Sequence, residues 1–189
     1  MKFHYLGMNL PYKDSLLPLL PSSSILYHER CEANSGNTVT VNTVLEGNVT
    51  TCREKAYIFD SWIGRDVSLT LLGPSVLNGL WLMDCAASLK MPGGCVWQEY
   101  TLTKHNVVTC HGWTDHPAQH HEEKTATVFN ISWSVFLSKT GIQKEDLWEN
   151  SCEVQDLLSA KLFLSGLPIV EQINMISALI RAAHDDTQQ

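Results

Sequence analysis

The chain has no stretch approaching 18 consecutive apolar residues, the length a membrane-crossing helix requires, so none is expected. It also has few basic side chains. Thirteen Lys and Arg stand against 20 Asp and Glu, a formal charge of −7 that argues against a nucleic-acid surface. There is no GxxxxGK[ST] segment and no GxGxxG after a strand pattern, so neither common phosphate-cradling loop is present. No CxxC occurs among Cys31, Cys52, Cys85, Cys95, Cys110 and Cys152, and 189 residues can build a core without disulfide staples. Reduced, mostly buried thiols in a cytoplasmic protein are the expectation. A secretory leader is not expected either, because the Leu16–Leu20 run is interrupted by Pro18 and closed by Pro21. The sequons at Asn48 and Asn130 are accordingly read as chance matches.

What is present is a six-residue periodicity beginning at Val39. Position one of successive hexads holds Val39, Leu45, Thr51, Tyr57, Ile63 and Leu69; position five holds Thr43, Val49, Lys55, Ser61 and Val67. Leu45-Glu46-Gly47-Asn48-Val49-Thr50 and Ile63-Gly64-Arg65-Asp66-Val67-Ser68 match the pattern fully, and lie 18 residues apart. This is the arrangement of a left-handed parallel β-helix. Each hexad makes one short strand and one corner of a triangular coil, with the large aliphatic filling the interior and the small residue fitting where walls converge. About two coils are expected. A third match starts at Leu72, nine residues after the second, which implies a corner loop at Leu69–Leu71.

Beyond the repeat, strands are predicted over Leu77–Leu82, Cys95–Leu102, Asn106–Trp113 and Thr127–Ile131. Ser132 is placed to cap a helix carrying Trp133, Phe136 and Leu137 on one face, and Gly141 to end it. A short helix is predicted over Lys144–Trp148, and strand or helix over Leu157–Leu164. The clearest helix opens at Pro168, with Val170, Ile173, Ile176 and Ile180 on one face. The fold class is therefore mainly β: a short left-handed parallel β-helix of hexapeptide repeats, with additional strands and C-terminal α-helices. Its parts are a strand and irregular lead-in over 1–36, a strand-rich region over 37–131 and a helical segment over 132–189.

Candidate chemistry is thin. His105, His111, His116, His120 and His121 lie within 17 residues, but Pro117 and the polar surroundings make this an exposed loop and not a zinc site, which needs converging ligands. No histidine lies between Val39 and His105 to act as the base of an acyl transfer. Met91-Pro92-Gly93-Gly94-Cys95 reads as a turn, and the six tryptophans as packing; exposed polar residues at Gly112–Asp115 are the candidates for reaching a ligand.

Several motifs occur in order: Phe3-His4-Tyr5-Leu6-Gly7, Ile63–Ser68, Leu89-Lys90-Met91-Pro92, Trp133–Phe136 with Gly141, and Asp146-Leu147-Trp148 followed by Ser159-Ala160-Lys161-Leu162-Phe163. Together they resemble the C-terminal part of the GDP-fucose pyrophosphorylase domain of fucose-1-phosphate guanylyltransferases, a domain shared with L-fucokinases. The likeness spans roughly residues 2 to 165; Met8, where the family usually has Thr, and the stretch near Lys55 depart from it. The resemblance implies a nucleotidyltransferase of nucleotide-sugar synthesis, in which GTP and fucose 1-phosphate give GDP-fucose and pyrophosphate with Mg²⁺. It implies that GTP and the metal are held by an upstream nucleotide-binding domain, so this chain supplies no catalytic, cofactor-binding or metal residue and is inactive in isolation. The partners expected are that upstream domain and a second copy of the chain, with no nucleic acid and no membrane. The alternatives are a non-catalytic interaction module and the non-kinase region of an L-fucokinase.

Overall fold

The computed structural model describes residues 37–52, 54–83, 85–102, 104–149 and 151–185. The opening Phe3–Gly7 motif lies outside them. From residue 38 the chain winds through three parallel sheets in rotation. Strands β1 (Thr38–Val41), β4 (Ala56–Phe59), β7 (Ser75–Asn78) and β10 (Cys95–Thr101) lie side by side in the first sheet, which β11 (Asn106–Gly112) closes as an antiparallel neighbour of β10. The second holds β2 (Val44–Leu45), β5 (Trp62–Ile63) and β8 (Trp81–Leu82), and the third β3 (Asn48–Thr51), β6 (Val67–Leu71) and β9 (Ala87–Met91). The described residues form three coils, one more than the periodicity implied. Thr38 pairs with Ala56, Ala56 with Ser75 and Ser75 with Cys95, so successive coils take 18, 19 and 20 residues.

Alternation along each strand decides what faces inward. Leu45, Ile63 and Leu82 stack inside the second sheet, and Val49, Leu69 and Leu89 inside the third, all below 5 % exposed. Thr51 shares a column with buried Leu71 and Met91. Val39 and Tyr57 break the hexad expectation. On the first sheet Ala56, Ile58, Leu77 and Trp97 fill the interior, while Tyr57, Phe59, Val76 and Val96 form a second buried cluster on the opposite face. In the first sheet the inward positions thus stand one residue out of step with the hexads, and in a strand a one-residue offset exchanges faces; the hexad phase holds again at Leu45 and Ile63. Leu69 and Leu71 are strand residues of β6 and not a corner loop; Leu72, the first position of the third hexad, is 46 % exposed.

Corners explain the small residues at position five. Asn42, Asp60 and Gly79 occupy the left-handed region at φ 48°, 47° and 68°, one above another. The next residue turns inward: Thr43 Oγ1 donates to the carbonyls of Val41 and Ile58, and Ser61 Oγ donates to Phe59 O and accepts the Leu80 N–H at 3.0 Å. A buried corner thus has its peptide groups satisfied from within. At the next corner Gly47 and Gly64 allow coils to touch, since a Cβ on Gly64 would lie 2.5 Å from the Met83 carbonyl oxygen.

The remaining elements close one end. The predicted Thr127–Ile131 strand is instead a hairpin, β12 (Thr127–Val128) and β13 (Ile131–Ser132), turning at Phe129 and Asn130 with φ 52° and 67°. Helix α1 (Trp133–Thr140) follows; Ser132 stands at its N-cap, but its hydroxyl pairs with Ser134, and Gly141 ends the helix at φ 72°. After α2 (Lys144–Leu147) the Leu157–Leu164 segment forms turns, neither strand nor helix. Helix α3 (Ile169–His184) packs Ile173, Ile176 and Ile180 onto the core, crossing β9 and β11. Leu77–Leu82 is two strands, broken at Gly79.

Replacing Gly64 by Ala is expected to cost about 2–3 kcal/mol, because backbone and not a flexible side chain opposes the new methyl. Urea denaturation followed by circular dichroism measures it, and an unchanged midpoint would contradict this packing.

Candidate functional site

The polar residues expected to reach a ligand turn out to hold the structure together. Asp115 follows the end of β11 and is completely buried. Its Oδ2 accepts the Gly112 N–H at 2.7 Å and the Phe129 N–H at 2.8 Å, and its Oδ1 accepts the Asn130 N–H at 3.0 Å. A charged acceptor with three backbone donors is strongly held, and it secures both left-handed residues of the β12–β13 turn. Asn130 completes the clamp: its Nδ2 donates to Gly94 O at 2.9 Å and its Oδ1 accepts the Thr114 N–H at 3.0 Å. Gly112 is required here, since a Cβ would meet the Asn130 side chain. The same bonds occupy the amide of the Asn130 sequon. Within Gly112–Asp115 only Thr114 is exposed.

The described histidines do not converge on one point, although the His120 and His121 rings lie 4.7 Å apart. Among the described residues no three His, Cys, Asp or Glu side chains gather as a metal site. His105 is exposed, whereas His121 is buried against Trp148 at 4.7 Å and Trp133 at 6.5 Å. The segment from His116 to His121 is therefore not the uniformly exposed loop its composition suggested. His111 lies edge-on to Phe163 at 5.6 Å. Tight turns at Gln119 and Glu123 shape this stretch, with no helix to bring His116 and His120 onto one face.

Tryptophan packing holds for Trp97, Trp133 and Trp148, each at most 2 % exposed. It fails for Trp81, which is 51 % exposed on the outer face of the second sheet and tilts against half-buried Trp62 at 6.3 Å. Of the thiols, Cys95 and Cys110 are buried and Cys52 is exposed. Burial pushes the Cys110 thiol up, and neighbouring Cys95 adds to the effect, so Cys110 is held as an unreactive thiol.

Glu99 and Gln172 are the polar residues that the sequence reading missed. Glu99, 9 % exposed, accepts the Trp81 N–H at 2.8 Å and the Asn106 amide at 2.6 Å. Burial raises its carboxyl above the usual range, against the lowering effect of those two bonds. Gln172, 2 % exposed, accepts the Val108 N–H at 2.8 Å and donates to Asn106 O and Leu167 O. The only available signal was Gln172 standing beside Ile173 on the apolar face of a helix. Both residues pair strand peptide groups, which is structural work.

Asp115→Ala leaves three backbone N–H groups without their acceptor and is expected to cost about 4 kcal/mol, against about 2 kcal/mol for Asp115→Asn. Chemical denaturation of the two variants checks the order; equal and small losses would dismiss the clamp.

The buried polar groups of Asp115, Glu99 and Gln172 are thus committed to hydrogen bonds within the fold. The fucose pyrophosphorylase domain family model matches residues 9–167, which include all three coils, the hairpin and the first two helices. No curated protein and no solved structure matches the chain. With most of its length matched by that one model, the chain belongs to the fucose pyrophosphorylase domain family.

Proposed function

We propose that this chain forms the supporting, left-handed β-helical portion of a fucose-1-phosphate guanylyltransferase-type protein. The observation that carries this reading is the family match across the whole three-sided coil. The left-handed winding is inferred from the hexads at Leu45 and Ile63, whose first residues both lie inside. In the complete reaction a phosphate oxygen of fucose 1-phosphate attacks the α-phosphorus of GTP. The bond to the β-phosphate oxygen breaks and pyrophosphate leaves. The charge that develops on the phosphates needs cationic groups or Mg²⁺ around it.

Mg²⁺ takes hard oxygen ligands in near-octahedral array. Among the described carboxylates, the buried Asp115 and Glu99 are committed to backbone and amide donors. In this reading the described residues take no part in the phosphoryl-transfer step. Their contribution is mechanical, a rigid prism whose outer faces support a nucleotide-binding domain of the same polypeptide, in the cytoplasm. The outer face of the second sheet, with Trp62 and Trp81, is one such surface.

Titration calorimetry of the isolated chain with GTP and Mg²⁺ is expected to show no binding in the micromolar range. Micromolar affinity would place the nucleotide site within this chain and overturn the supporting role.

A further inference from the structure

Two buried ring nitrogens have no hydrogen-bond partner among the described residues, His121 Nε2 and His111 Nδ1. Both rings bear on the same segment, the connection from α2 to α3 over residues 148–168. His121 lies flat on Trp148, with centroids 4.7 Å and planes 28° apart, and its Nδ1 stands 3.2 Å from the Gln155 carbonyl, which also accepts the His121 N–H. Trp148 in turn donates its indole N–H to Asp156 O at 3.0 Å and to Ser159 Oγ at 3.1 Å. At the far end of the connection, Phe163 packs edge-on against His111.

We propose that His111 and His121 form an acid-sensitive clasp, in which protonation of either ring loosens the α2–α3 connection from the body of the protein. With Nδ1–H donating to Gln155 O, His121 presents a bare lone pair at Nε2 to an aromatic box. Adding a proton there places a charge in a space from which water is excluded. The groups around it pull in both directions. Burial holds the His121 ring below the ordinary histidine range; the Gln155 bond opposes this, Lys144 and His120 add to it, and Glu122 opposes it again. Glu122 lies 3.7 Å from Nε2 but is already paired with Lys144 at 2.9 Å. For His111 burial likewise lowers the ring, and Asp115 acts against it. Within the connection, Glu149 pairs with Lys161 at 2.8 Å; at its end, exposed His105 flanks Gly166.

Because both folded-state values are depressed, the stabilisation from neutral rings is fully present above about pH 6.5 and is lost as the pH falls below it. Glu122 and Glu149 are each held below the ordinary carboxylate range by a lysine, so they stay ionised over that interval.

Hydrogen–deuterium exchange of the full chain at pH 7.5 and 5.0, corrected for intrinsic exchange, tests the clasp. Opening of peptides within 151–163 is expected to rise at least about threefold at pH 5.0, with α3 unchanged. The rise should vanish in the double variant His111→Phe, His121→Phe. Equal protection at the two pH values, loosening of α3 together with the connection, or a rise that survives in the double variant would overturn the proposal. Should that variant not fold, NMR titration of the two imidazoles in the unmodified chain decides: midpoints below ordinary histidine support the clasp, and midpoints at or above it refute it.

Discussion

A stack of parallel rungs ends in a row of unpaired peptide groups, and closing that row organises everything after residue 95. Three sheets reach this end and each is closed differently. The first receives an antiparallel strand, β11, whose outer edge gives the Val108 N–H to Gln172. The second receives a carboxylate, Glu99, in place of a fourth rung over Trp81. The third is crossed by α3. An uncovered sheet edge invites pairing with other chains, so these caps keep the coil finite. Two of the buried polar residues, Glu99 and Gln172, serve these caps, whereas Thr43 and Ser61 serve the corners of the coils.

Within the coils the governing constraint is close approach. Rungs stack at the strand-to-strand spacing of a sheet, about 4.8 Å, and corners must fit the same spacing with no room for bulk. Left-handed Asn42, Asp60 and Gly79, inward Thr43 and Ser61, and contacting Gly47 and Gly64 are three solutions to that one problem. The lengthening from 18 to 20 residues per coil is taken up in connections, leaving the interior columns in register.

The helical layer is attached by aromatic packing and by one carboxylate. Trp133, Phe136, Phe129 and Trp148 form a continuous set of ring contacts between 5.1 and 5.8 Å, and Asp115 ties the hairpin beneath them to the end of β11.

Hexad spacing made the parallel coil legible from Leu45, Val49, Ile63, Val67 and Leu69, because interior columns need an aliphatic residue at each recurrence. The α3 helix was equally legible from Pro168, Ile173, Ile176 and Ile180, and the helix stop from Gly141. Local pattern could not reveal that Val39 and Tyr57 face outward, since the strands of the first sheet stand one residue out of step with hexads that hold in the other two. It could not identify Glu99, Gln172 or Asp115 as clamps, because each holds a peptide group far along the chain, 18, 64 and 14 residues away. Nor could it separate exposed Trp81 from buried Trp97, two residues with the same side chain in similar strands. Periodicity is written in neighbours along the chain, whereas the burial of a polar group depends on which distant peptide it meets. The sequence by itself therefore determined the repeating coil and its helices, and the tertiary structure alone decided how that coil ends.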